Sequence, residues 1–367
     1  MKKAILYCVA IIFASLIATL FLPFSCALKA KNDEKFDIVM DKISNDTLVT
    51  EVRMLGAHDA FSSDIGYMSR ANPNQDDLIT SGIVNKFAKG VVVRFSKAQN
   101  GSALDLLNGG VRYFDTRITL SGEDFYTCHG YLSNNFDYYL KDIIDFLDSH
   151  PSEFVILDIQ EYFASGTKDG SLEAEDWDKL LLHLSETKGA SGKTIIDFIR
   201  YDAKVDSLKD LTVGQVTNNK NSGGVVILAK TSDYSEFYLR DSNADYNEER
   251  EYTSIRSYWH ETNSTDELIS GIDNEEAFVE KMNYSGLFVV NQAQKTAFIM
   301  SGKLVRSIFG WSLTKMASQF NKELVKDEER FNKWLDEMPI LMVDYALSSK
   351  GDFNKLANTY IIAYNSK

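Results

Sequence analysis

The sequence predicts an α/β fold in which a parallel sheet closes into a barrel, forming one catalytic domain. Three observations predict it. Apolar runs recur that are too continuous for a sheet with one wet face, namely FVILDI (154–159), GGVVILAK (223–230), GLFVVNQ (286–292) and PILMVDYA (339–346); this is the pattern of parallel strands covered on both sides. These runs alternate with segments whose apolar residues recur at helical spacing. Several strands also end in a polar residue, Asp59, Asp115, Gln160, Lys230 and Asp344, as when side chains from C-terminal strand ends converge on one barrel mouth. A doubly wound sheet is the alternative, but the chain has no GxGxxG or GxxxxGK turn to hold a nucleotide phosphate. Its 367 residues accommodate a barrel, which takes roughly 250.

From the start of the chain, residues 1–27 read as a leader. Lys2 and Lys3 precede an apolar run over 4–24, and Ser25, Cys26 and Ala27 offer small residues for cleavage. A cleaved export signal ranks first, a lipoprotein anchored at Cys26 second and an uncleaved anchor third, since about 20 apolar residues also span a bilayer. All three predict a secreted or cell-surface protein. The charged stretch 28–46 is expected to be a tether or surface helix, and 47–367 the barrel. EVRMLGAHDAF (51–61) reads as a strand running into a turn. Ser102 opens a helix that stops at Gly109 and Gly110. A strand over 111–120 follows, and then Phe136, Tyr139, Leu140, Ile143, Ile144 and Leu147 mark a helix closed by Pro151. A helix over 172–185 carries Leu180, Leu181 and Leu184 on one face. The acidic stretch 232–283 yields no assignable elements. Amphipathic stretches 304–320 and 323–335 precede PILMVDYA, and a helix spans 354–364.

Hydrophobic residues make up 44% and charged residues 25%, enough for a large core. The net charge of −14 argues against a nucleic-acid partner, which needs clustered Lys and Arg. Membrane contact is therefore expected to use exposed aromatic and aliphatic loop residues rather than general cationic attraction. Of three cysteines, Cys8 and Cys26 lie in the leader, so Cys128 stands alone and no internal disulfide is expected. The chain has five histidines, and two of them, His58 and His129, sit near glycines at strand ends. Two histidines can act as base and acid in one displacement. An arginine such as Arg117 stabilises charge on a phosphoryl group, and Asp59 and Asp115 would orient the rings. That set suits cleavage of a phosphodiester without a metal. The rival reading is a metal site of His58, Asp59, Asp115 and His129, and the residues alone leave both open.

GAHDAF, GVRYFDTRI, YTCHG and FVILDIQEY, in this order between Leu55 and Tyr162, resemble the X-domain signature of the phosphatidylinositol-specific phospholipases C. GGVVILAK and PILMVDYA extend the likeness more loosely toward the C-terminus. The resemblance implies a distorted TIM-like (β/α) barrel, and the remaining length is not expected to hold separate signalling domains. It implies His58 as general base on the inositol 2-hydroxyl and His129 as general acid on the diacylglycerol oxygen, the products being diacylglycerol and inositol 1,2-cyclic phosphate. Arg117 stands where bacterial metal-independent members have arginine and calcium-dependent members an acidic ligand, so the bacterial type is the closer and no cofactor is implied. Asp59, in place of the asparagine usual in calcium-dependent members, agrees. Asp344 is implied as the carboxylate that orients His58, and Asp115 and Lys230 as substrate-binding residues. Gln160, with Glu161 beside it, departs from the lysine or glutamate found there. The expected partner is an inositol phospholipid or glycosylated inositol lipid anchor at a membrane surface, with no obligate protein partner. The alternatives are another phosphodiester substrate, metal-assisted cleavage, or an inactive binding relative. His150, His183 and Cys128 are read as structural residues, while His260, beside Tyr258 and Trp259, lies either in the core or near a head-group pocket.

Overall fold

The computed structural model describes residues 35–75, 89–90, 92–164, 174–201, 208–229, 238–239, 254–296 and 312–367. Ten strands lie in one sheet among these residues. Eight run in the order β7 (Tyr238–Leu239), β6 (Gly224–Ala229), β5 (Phe154–Phe163), β2 (Val111–Ser121), β1 (Met54–Ala57), β10 (Ile340–Val343), β9 (Phe288–Gln292) and β8 (Ile255–Tyr258). Every pairing along this path is parallel. Among the described residues no pairing joins β7 to β8, so the sheet curls into a barrel that stays open on one side. This is the distorted (β/α) barrel expected from the sequence. β3 (Asp124–His129) and β4 (Tyr131–Asn135) hang off β2 as antiparallel strands.

The alternation of side chains explains the continuous apolar runs. Met54, Tyr113, Ile156, Val226, Val290, Ile340 and Met342 pack in the barrel interior. Their neighbours Leu55, Phe114, Leu157, Ile227, Val289 and Leu341 pack outward, under the helices, so neither face of the strands meets water. The outer layer is made by α1 (Ala103–Asn108), α2 (Phe136–Ser149), α3 (Ala174–Glu186), α5 (Thr265–Met282), α6 (Leu313–Leu324), α7 (Glu328–Glu337) and α8 (Phe353–Asn365), while the short α4 (Val213–Val216) packs with the interior cluster. Ser102 caps α1 in a capping box with Asp105, as its sequence predicts. At Gly56 a Cβ would meet Tyr113 Cδ1 at 2.9 Å, so glycine is what lets β1 sit close beneath the mouth.

Two expectations change. The stretch over 35–46 is neither tether nor helix: it forms turns, and Val39, Met40 and Ile43 join the interior cluster at the N-terminal end of the strands. A buried ion pair holds it there. Arg112 Nε donates to Glu153 Oε2 at 2.8 Å and Arg112 Nη2 to the Asp37 carbonyl at 2.8 Å. Glu153 Oε1 accepts from the backbone N–H of Met40 at 2.9 Å and Val39 at 3.1 Å. The acidic stretch, unassigned from sequence, contributes β8 and α5, anchored to each other by Arg256 and Glu275 at 2.6 Å. Lys230, residues 1–34 and the amphipathic stretch before 312 lie outside the described residues.

Glu153→Ala strands the buried Arg112 guanidinium, and unfolding in urea should show a loss of about 3–5 kcal/mol. An Arg112→Met/Glu153→Met double variant should recover much of it, because no charge is then left unpaired. A Glu153→Ala protein as stable as the parent would contradict this role.

Candidate active site

At the C-terminal ends of β1, β2 and β10 the parallel register brings Ala57 beside both Val343 and Phe114. The residues that follow, His58, Asp344 and Asp115, therefore meet. Past β1 the chain turns through the left-handed region at Asp59 (φ 41°), and past β10 at Tyr345 (φ 50°); both are unusual for side-chain-bearing residues and are held by specific bonds. Asp59 N–H donates to Asp115 Oδ2 at 3.0 Å. Gln99 Nε2 donates to the carbonyls of His58 (2.8 Å) and Val343 (3.0 Å), and its Oε1 accepts from Ala346 N–H (3.0 Å). One buried amide thus ties the two turns together. β2 runs on beyond the barrel, turns at Gly122, and β3 returns antiparallel with Thr127 opposite Ile118. That hairpin, rather than a barrel strand, delivers His129 to the level of Arg117.

The six polar groups form one constellation. His58 Nδ1 lies 2.7 Å from Asp344 Oδ1, which fixes the proton on Nδ1 and leaves Nε2 facing the mouth. His58 Nε2 is 3.5 Å from Asp59 Oδ2 and 3.9 Å from Asp115 Oδ2. His129 Nδ1 is 3.1 Å from Asp59 Oδ2 and 3.1 Å from the Ser96 carbonyl. Arg117 Nε is 2.8 Å from Asp59 Oδ1, and its Nη1 is 3.3 Å from Glu161 Oε2. The two imidazole centroids are 6.4 Å apart, with the Asp59 carboxylate against both rings.

Burial and charge separate the protonation states. Burial disfavours a charged His58, but Asp59, Asp344 and Asp115 outweigh it and raise the ring to about 9. At His129 burial prevails, with Arg117 and His58 adding to it against Asp59, and the ring is lowered. Burial also works against an ionised Asp59, yet Arg117, His129 and His58 hold it down at about 2. Asp115 goes the other way, lifted by burial and by Asp59 to about 6. In the free protein the proton rests on His58.

Of the residues expected from sequence, His58, Asp59, Asp115, Arg117, His129 and Asp344 come together. Gln160 does not join them. A β-bulge puts Thr116 opposite Ile159 and then Arg117 opposite Glu161, so Glu161, not the buried Gln160, is the residue paired with Arg117. Gln99 and Ser96 escaped the sequence reading because an amide in a loop and a backbone carbonyl at a helix end carry no periodic signal. His150 stacks on Phe146 at 4.0 Å, and His183 packs beside Phe125 at 4.8 Å and pairs with Asp137. His260 sits edge-on to Tyr258 against Gly271, lowered to about 4 by burial and Arg256. The Cys128 thiol is buried and pushed up by that burial and by Glu161, the opposite of an activated nucleophile. His58, Asp59 and Asp115 also present one ligand atom each within 4.8 Å of one another, but the Arg117 guanidinium already faces Asp59.

Comparison with known proteins agrees with this picture. No family model matches the chain. In sequence it is 30% identical over 121 residues to mouse (Mus musculus) PI-PLC X domain-containing protein 3, covering 31% of this chain and 38% of that protein. It is 32% identical over 126 residues to the variant-surface-glycoprotein phospholipase C of Trypanosoma brucei brucei, covering 31% of this chain and 35% of that one. The matches thus span little more than a third of those relatives. In structure it resembles the phosphatidylinositol-specific phospholipase C of S. aureus with a TM-score of 0.61 at 16% identity, covering 88% of this chain and 96% of that one. The enzyme of Listeria monocytogenes gives a TM-score of 0.58 at 14% identity, covering 90% of this chain and 98% of that one. The chain therefore has the barrel fold of the bacterial phosphatidylinositol-specific phospholipases C and, over about a third of its length, the sequence likeness of PI-PLC X domain proteins.

Proposed function

We propose that this chain is an exported phosphatidylinositol-specific phospholipase C that acts on an inositol phospholipid, or a glycosylated inositol lipid anchor, at a membrane surface. The observation that carries the reading is the pair of histidines on either side of the buried Asp59–Arg117 ion pair. His58 Nε2 takes the proton from the inositol 2-hydroxyl, whose oxygen attacks phosphorus. The bond from phosphorus to the diacylglycerol oxygen breaks, and His129 gives that oxygen its proton. Diacylglycerol and inositol 1,2-cyclic phosphate leave. Arg117 stabilises the charge gathering on the phosphoryl oxygens, and Asp344 keeps His58 in the tautomer of a base. The roles need the proton on His129 rather than His58. An anionic phosphate seated against His129 and Arg117 favours the charged form of His129. Contact with the membrane rests on apolar loop residues: Tyr67 and Met68, on the segment after β1, are 40% and 88% exposed. Export depends on the leader over 1–27.

The ligand spacing of His58, Asp59 and Asp115 favours one second reading, metal-assisted cleavage in the same site. Phosphorus NMR of the protein with phosphatidylinositol in detergent separates the two. With EDTA the cyclic phosphate signal should appear at the same rate as with added calcium, and His58→Ala and His129→Ala should each cut that rate by about 10²–10⁴ or more. Turnover only with calcium would favour the second reading, and near-parent rates in either variant would remove the role assignment.

The pH profile tests the orienting carboxylate. The site needs one proton, on His129, and in the free protein that proton sits on His58, which is raised to about 9 while His129 is lowered, so kcat/KM should hold level below about 9 and fall as pH rises through it. Asp344→Asn removes one of the charges that raise His58. Its falling limb should move to lower pH while kcat falls by up to about 10⁴. A limb that stays in position would contradict the coupling.

A further inference from the structure

β3 and β4 hang off the barrel, and His129 sits at their turn, so the place of the proposed acid depends on what grips that turn. It runs through Gly130 at φ 69°, with His129 opposite Tyr131. Residues 70–72 lie along it. Asn72 N–H donates to the Gly130 carbonyl at 2.9 Å, the Arg70 carbonyl accepts from Leu132 N–H at 2.8 Å, and Ala71 forms an antiparallel bridge with Tyr131. The Asn72 side chain, 3% exposed, adds a second hold. Its Nδ2 donates to Cys128 Sγ at 3.4 Å, and its Oδ1 accepts from Thr119 Oγ1 at 2.9 Å and from Asn74 N–H at 3.1 Å. One residue therefore bonds to both chain neighbours of His129 and fastens them to β2, two residues beyond Arg117. A buried amide with both side-chain atoms bonded keeps one orientation, because any other leaves a polar atom unpaired.

We propose that Asn72 is a positioning residue for the general acid, acting through the β3–β4 turn to fix the place of the His129 ring. This rests on the proposed function and adds a residue to it. The base is held separately, by Gln99 on the His58 and Val343 carbonyls. Loosening Asn72 therefore impairs protonation of the departing oxygen and spares attack by the inositol 2-hydroxyl. The two steps can be told apart by the leaving group. The diacylglycerol oxygen needs a proton as its bond to phosphorus breaks, whereas a nitrophenolate leaves as a stable anion without one.

The test compares phosphatidylinositol with nitrophenyl inositol phosphate, in detergent containing EDTA, for the parent protein, Asn72→Leu, Thr119→Val and His129→Ala. Asn72→Leu should lower kcat for phosphatidylinositol by roughly tenfold to a hundredfold with KM held within about twofold. Its rate on the nitrophenyl substrate should stay within about twofold of the parent. His129→Ala should show the same selectivity with a larger loss. Thr119→Val keeps the side chain's shape and removes the hydroxyl that Asn72 accepts from, and it decides the test if Asn72→Leu loses its circular dichroism spectrum. In the deciding variant, equal loss on both substrates, or loss on neither, overturns the inference while leaving the function reading intact. Equal loss on both substrates in His129→Ala removes the acid role and this inference with it. A parent inactive on both removes the function reading as well.

Discussion

Asp59 carries its carboxylate into a site where only 1% of the side chain remains exposed, with the Arg117 guanidinium 2.8 Å from one oxygen and the His129 and His58 rings 3.1 and 3.5 Å from the other. A buried charge of this kind is tolerable only when opposite charge surrounds it. Neither oxygen makes an aligned hydrogen bond among the described residues, so the balance is Coulombic. It is a constraint on three side chains at once. It keeps Arg117 in place for a phosphoryl group, sets the spacing of the two rings, and, together with Asp344 and Asp115, raises His58 so that the resting proton sits there.

The backbone serves this arrangement. Asp59 reaches its position only because the chain turns through φ 41°, a conformation that Asp115 secures by accepting from its N–H and that Gln99 secures from behind. Gly56 permits the close approach of β1 to Tyr113 one layer below. Below the mouth, Tyr113 donates to Asp158 at 2.5 Å, giving the site a polar floor over an apolar barrel. The Arg112–Glu153 pair closes the opposite end and binds the N-terminal segment to it, so the two ends of the barrel depend on separate buried charges.

Much of this is legible in the sequence because the strands obey simple alternation. Apolar runs marked β1, β5, β6, β9 and β10, and the polar residues that terminate them marked the mouth. His58, Asp59, Asp115, Arg117, His129 and Asp344 were all readable from such positions and from the family likeness. What escaped follows from effects that alternation does not encode. A one-residue bulge exchanged Gln160 for Glu161. The tie made by Gln99 joins loops far apart in sequence. The segment over 35–46 looked like a charged tether because its few apolar residues, Val39, Met40 and Ile43, have no regular spacing, yet they are what fills the barrel's lower end. β8 and α5 were hidden in an acidic stretch, since their charges, Arg256 and Glu275, neutralise each other only once folded.

The most direct test of the central claim is the titration of the two imidazoles, followed by nitrogen-15 NMR on the substrate-free protein. If Asp59 and its neighbours set the protonation states as described, His58 titrates near 9 and His129 below 6.5, and Asp59→Asn brings His58 down. Two rings titrating together near the ordinary value, unmoved by the substitution, would contradict the account.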